Sequence, residues 1–314
     1  MSLNIKKLAK TPQFFLLLFL LFALIGASIF VGTAHFNEFV IVHLRLPRIV
    51  MSVFAGASLA LCGAIFQSIF RNPICDPYIL GISSGASIGA ALAFILGLDF
   101  YLFGVTTFAL VTAFLTLLLM LGIVQFSNIK STYIMLLAGI SLNFLMASVL
   151  TLLIVLNHQE MQKILFWTMG SFATVSYPDL YFFIPLFIIC TFFTFLFSKD
   201  LNIMQLGDTQ AQSLGVDTQK ITYTMLLISS ILIAATVSIC GVIGFIGLII
   251  PHLTRLIWGN NTRHLFAFSI LLGAGFMLVA DNLARILVTH SELPVGSITA
   301  LIGAPYFIYI LVRK

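Results

Sequence analysis

Charge is what this sequence has least of. Asp, Glu, Lys and Arg make up 8% of its 314 residues against 61% hydrophobic residues, with a mean hydropathy of +1.14. A water-soluble fold cannot hide that much apolar side chain, so a soluble globular protein is excluded and helical spans of about 20 residues are the solution. Acidic residues are the scarcer sign, which leaves a net charge of +5 and a pI near 9.1. The basic residues are scattered between apolar blocks and not gathered on one face, which excludes nucleic acid as a partner. Cysteine is sparse too: Cys62, Cys75, Cys190 and Cys240 lie far apart, mostly inside apolar runs, without metal-ligand spacing. They read as small packing residues, not a disulfide framework. No G-x-x-x-x-G-K-[ST] loop occurs and no Gly is followed by Lys, so the chain cannot cradle and hydrolyse ATP itself. Neither a nucleophile–base pair nor a metal-ligand cluster supports a membrane enzyme.

What is there is a series of apolar runs. Spans are expected at about 14–34, 48–70, 78–97, 101–126, 132–156, 177–197, 221–240, 243–258, 264–285 and 297–312, giving an all-α polytopic membrane protein with about ten transmembrane helices. The first run follows Lys6, Lys7 and Lys10 and is too long for a signal-peptide core, so it is expected to remain as the first span. With both termini in the cytoplasm, only Arg45, Arg48, Lys163 and Arg285 fall outside, which leaves 11 of the 15 Lys and Arg inside, as the positive-inside rule requires. Glycines and prolines interrupt the third and eighth spans. Small residues recur at helix-packing spacing, as in Gly81, Gly85 and Gly89 or Gly56 and Gly63. They are read as packing devices and carry no function here.

The longest polar segment, 198–220, stands alone in the middle of the chain within a single domain spanning 1–314. Its core is bracketed by Gly207 and Gly215, and Ala211 and Leu214 supply apolar contacts three residues apart. That arrangement suits a short helix laid into a groove of a soluble partner. The competing arrangement is an amphipathic loop on the lipid surface, against which Asp208 and Asp217 would be repelled by an anionic leaflet. Arg45 and Arg48 flank Pro47 at the outer mouth of the second span and ask for an anionic partner, unless they snorkel to lipid headgroups. Arg285 follows Asp281 by four residues, so an ordinary helix ion pair accounts for it equally well. Asn72 precedes Pro73, where a helix must stop and its free carbonyls need polar partners.

Several motifs resemble one family. Leu44-Arg-Leu-Pro-Arg48 precedes Gly56, Gly63 and Gln67, and Arg71-Asn-Pro73 follows. Trp167-Thr-Met-Gly-Ser171, Gly241-Val-Ile-Gly-Phe-Ile-Gly-Leu248, Pro251-His252-xx-Arg255, Ala280-Asp281-xxx-Arg285 and Glu292-Leu-Pro-Val-Gly296 come next, running to Gly303-Ala-Pro305. Their order and spacing over 44–311 resemble the FecCD family, the membrane permeases of ABC importers for iron-siderophores, haem and cobalamin. The resemblance implies a type II ABC importer permease fold in a bacterial cell membrane and no cofactor of the chain's own, ATP being bound by a separate ABC ATPase dimer. It also implies a second permease subunit, identical or homologous, and an extracytoplasmic substrate-binding protein. By the same resemblance Gly207, Asp208, Ala211, Leu214 and Gly215 form the element that couples to the ATPase. Arg45, Arg48 and Arg285 grip carboxylates of the binding protein, and Asn72 with Ser131 and Thr132 forms the cytoplasmic gate.

A ferric siderophore is the expected cargo, with haem or cobalamin as the alternative. A secondary transporter is the rival class, and it would place ionisable residues at mid-membrane. The fifth span offers Ser141, Asn143 and Ser148 there and no carboxylate.

Overall fold

The computed structural model describes residues 2–32, 37–101, 103–126, 132–288 and 292–312, with side chains for all of these but 2–10, 132, 133, 310 and 311. Among them the chain is helical without strands. The helices are α1 (Ser2–Ser28), α2 (Leu46–Ile69), α3 (Ile82–Ile95), α4 (Gly104–Phe126), α5 (Thr132–Leu156), α6 (Met161–Thr168), α7 (Tyr177–Leu196), α8 (Ser198–Met204), α9 (Asp208–Ser213), α10 (Thr218–Cys240), α11 (Ile246–Trp258), α12 (Thr262–Ile286) and α13 (Val295–Val312). Every expected span has its helix. Among the described residues seven segments are long and apolar enough to cross a membrane, and three further apolar helices are shorter.

The two glycine-interrupted spans are shortened. Gly81 takes φ +82° between a 3-10 turn over Pro77–Leu80, capped by Asp76, and α3. Phe245 takes φ +71° immediately before α11. The resulting helices of 14 and 13 residues are about 20 Å long, short of a hydrocarbon layer of about 30 Å. The second span differs in the other direction. A π-helical turn over Val40–Arg45 runs directly into α2, so one continuous helical segment covers Val40–Ile69. Arg45 and Arg48 therefore lie within the span and not ahead of it, because Pro47 falls in the first turn of α2, where its missing N–H breaks no helical bond.

α2 is the axis of the bundle: 83% of its span is buried inside the chain, against 11% for α5 and 6% for α1. Two glycines bring other helices onto it. A Cβ at Gly56 would lie 2.2 Å from the Gly273 carbonyl oxygen of α12, and one at Gly63 would lie 1.8 Å from that of Gly247 in α11. Backbone meets backbone at both places, which is how helices associate in lipid, where the hydrophobic effect does not drive them together.

Candidate functional sites at the two ends of α2

At its start, α2 carries Arg48, whose Nε donates to Asp281 Oδ1 at 2.9 Å and whose Nη1 donates to Glu292 Oε2 at 2.6 Å. Asp281 also pairs with Arg285 at 3.4 Å, the four-residue ion pair expected within α12. Arg285 further bonds Asn282, which bonds Ser28 Oγ at the end of α1. Arg45 donates to the Ile29 carbonyl at 2.7 Å. All three arginines are only 5–6% exposed, and Asp281 is fully buried. Arg48 and Arg285 are thus members of an internal ionic network with acids of α12 and the segment before α13, and Arg45 is held at the end of α1. Arg45, Arg48, Arg285 and Glu292 nonetheless line one cavity of about 210 Å³. Counting the buried Asp281 behind the cavity with Glu292, three guanidinium groups at this end stand against two carboxylates, leaving one positive charge in excess. Lys163 belongs to the same end: it and Glu292 line a neighbouring cavity. Hydrogen bonds to Asp99 and Glu160 raise its pKa.

At the other end, the polar segment folds into α8 and α9. Gly207 (φ +118°) and Gly215 (φ +85°) supply the left-handed backbone that bounds α9. Asp208, the first residue of α9, pairs with Arg71 just beyond the end of α2. Ala211 is fully buried and turned into the chain, so the apolar contact it was expected to offer outward is left to Leu214, 62% exposed. Leu206, on the other side of α9, is exposed in the same way. α8 is stitched to the start of α12 by Asn202 and Gln205, which bond Thr262. Asn72 spends its Oδ1 on the Ile74 N–H at 3.0 Å, closing the turn that ends α2. Ser131 lies outside the described residues, as does the side chain of Thr132, the first residue of α5. The gate they would form with Asn72 has no described geometry. In the turn after Asn72, burial pushes the partly buried Asp76 carboxyl up to about 6, opposed by the hydrogen bond from Tyr78 N–H.

Sequence reasoning missed Glu292 as a partner of Arg48 and Arg71 as a partner of the polar segment. Both stand in motifs already singled out, but each contact spans well over a hundred residues, beyond what local spacing shows.

A bundle of this many apolar helices is a multi-pass membrane protein. The chain belongs to the FecCD transport family, whose family model matches residues 13–313. It is 39% identical over 270 residues to the molybdate import system permease MolB of Haemophilus influenzae, covering 85% of this chain and 79% of that protein. It is 38% identical over 279 residues to the hemin transport system permease HmuU of Yersinia pestis, covering 87% and 83%. A solved chain described as an inward-facing metal-chelate type ABC transporter superposes with a TM-score of 0.89 at 35% identity, covering 97% of this chain and all of that one.

Proposed function

We propose that the chain pairs with a second permease subunit and carries an iron–siderophore complex from an extracytoplasmic binding protein into a bacterial cytoplasm, driven by a separate ABC ATPase dimer. The observation that carries this reading is the placement of two different polar sites at opposite ends of one rigid helix. α2 has 24 residues, so the arginine network and the Arg71–Asp208 pair are separated by roughly 36 Å, about the thickness of a membrane. The network end holds the excess positive charge and fits acidic groups of a delivering protein, which such charges steer and orient. The α8–α9 end offers a short helix bounded by two glycines with Leu206 and Leu214 exposed, suited to a groove on a soluble ATPase.

The excess of Lys and Arg on that side supports a cytoplasmic position for the α8–α9 end and both termini. Molybdate and hemin relatives at 39% and 38% identity differ completely in shape and charge, so overall identity does not select the cargo. The metal-chelate description of the superposing transporter favours a chelate, and the hemin relative keeps haem, or cobalamin of similar size, as the second reading.

Two experiments test the proposal. Replacing Leu214 and Gly215 with bulky charged residues should abolish ferric-siderophore uptake and cargo-stimulated ATP hydrolysis in proteoliposomes while the permease still inserts. Survival of both activities would remove α9 as the docking element, and stimulation by hemin or cobalamin in place of the siderophore would change the cargo. For orientation, an impermeant thiol reagent on spheroplasts should label a cysteine placed at Gln159 but not one at Thr209. The opposite pattern would invert the assignment of the two ends.

A further inference from the structure

A cavity of about 290 Å³ lies where the end of α2 meets α11 and the segments flanking α8 and α12, and its lining includes Gln67, Ser68, Arg71, Gln205, Arg255 and Asn260. Every one of these side chains carries a hydrogen-bonding group, two are guanidinium groups and none is a carboxylate. Arg255 donates Nη2 to Ser68 Oγ at 2.9 Å, its Nε is buried without a partner, and it makes no ion pair among the described residues. Gln67 is 1% exposed. Its Nε2 is committed to the Leu248 carbonyl at 3.0 Å, which fixes the amide and leaves Oε1 a buried acceptor with no partner. Arg71 adopts φ +48°, a left-handed conformation costing a residue with a Cβ about 1–2 kcal/mol. Such strain persists where the surroundings hold it and marks functional sites.

We propose that this cavity is a binding site for a phosphate-type oxyanion. A guanidinium partly removed from water without a counter-charge is costly, and an anion beside Arg255 removes that cost, with Arg71, already paired with Asp208, as a second cation on the same cavity. The planar fork of Arg matches the oxygens of a tetrahedral oxyanion in pairs, and the Asn260 side chain, which also lines the cavity, has an amide donor for a remaining oxygen. A protonated oxygen or a bridging water satisfies Gln67 Oε1. The volume corresponds to roughly ten water molecules, room for one such ion and part of its hydration shell. The anion is either a free phosphate or the phosphodiester of a lipid headgroup, since both present the same oxygens. Arg71 is also the partner of Asp208, so the ligand and α9 share one cation and compete for it. The binding stands apart from the transport reading, and its failure would leave that reading untouched.

The test titrates inorganic phosphate, at constant ionic strength against chloride, onto the purified full chain in detergent, read by calorimetry and by the shift in Tm. Saturable binding of one phosphate per chain is expected. Arg255→Met should weaken it at least tenfold, Arg255→Lys less, and Asp208→Asn should tighten it severalfold by releasing Arg71. Repeating the titration in phosphatidylglycerol and phosphatidylcholine nanodiscs separates the sources. Phosphate binding present in detergent but lost in both nanodiscs assigns the site to a lipid phosphodiester, loss only in phosphatidylglycerol assigns it to an anionic headgroup, and binding in both as strong as in detergent assigns it to the free ion. A non-saturating response, or an affinity indifferent to both Arg255→Met and Asp208→Asn, would overturn the proposal. Should Arg255→Met fail to fold, the Asp208→Asn comparison decides alone.

Discussion

Arg71 and Asp208, 137 residues apart in the chain, form an ion pair that fastens the start of α9 to the end of α2. Their side chains are 36% and 57% exposed, so the pair adds at most about 1 kcal/mol to stability. Its importance is positional, since it is a direct bond between the polar segment and the axis of the bundle. Asp208→Ala should therefore change Tm little while lowering cargo-stimulated ATP hydrolysis several-fold in the reconstituted complex. The exchanged pair, Arg71→Asp with Asp208→Arg, should recover part of that loss. Full activity in the single variant would show that the bond plays no part in coupling.

The arginine network should respond unequally to its two acids. Asp281 is fully buried between Arg48 and Arg285, and removing its charge by Asp281→Asn leaves two guanidinium groups facing each other, a cost of about 3–5 kcal/mol. Glu292 has a side chain 49% exposed, and Glu292→Gln should cost about 1 kcal/mol or less. Denaturation in detergent distinguishes them, and equal losses would contradict the difference in burial.

Much of this architecture was legible beforehand. α5 begins and ends where expected because polar residues flank an unbroken apolar run, and α2 is recognisable from its glycines. The burial of Arg45, Arg48 and Arg285 was not legible. The acids of Arg48, Asp281 and Glu292, lie 233 and 244 residues from it, and only the folded chain brings them together. The inward turn of Ala211 was hidden for a related reason: spacing of three identifies a shared face of a helix but not what that face meets.

Gly63 should tolerate nothing larger. A Cβ there meets the backbone of Gly247, which cannot swing aside as a side chain can, so Gly63→Val should exceed the usual overpacking cost of about 1–3 kcal/mol and sharply reduce the yield of folded protein. Gly122, with nothing within 4 Å of its would-be Cβ, is the control, and Gly122→Ala should stay within about 0.5 kcal/mol. Comparable behaviour of the two variants would undo the close approach of α2 and α11.

Asp76 should make stability depend on pH. Its carboxyl holds a proton more tightly when folded, at about 6, than at its ordinary value of 3.8. The resulting stability is complete below 3.8 and disappears as pH rises through 6. Wild type should thus lose Tm relative to Asp76→Asn, which keeps the acceptor for Tyr78 N–H, as pH is raised across that interval. A difference that stays flat or runs the other way would contradict the assignment.

α5 is fixed to the rest of the chain near its midpoint and is bare along most of its length. Asn143 bonds the Tyr78 and Ile79 carbonyls at 3.0 and 3.1 Å and receives Ser84 Oγ at 2.6 Å, and a Cβ at Gly139 would sit 2.3 Å from the Ile79 carbonyl oxygen. A rod held at its centre behaves as a seesaw. With 25 residues and a length of about 37 Å, a tilt of about 10° on that fulcrum would swing its two ends in opposite directions by about 3 Å each, widening the space beside one end as it narrows the other.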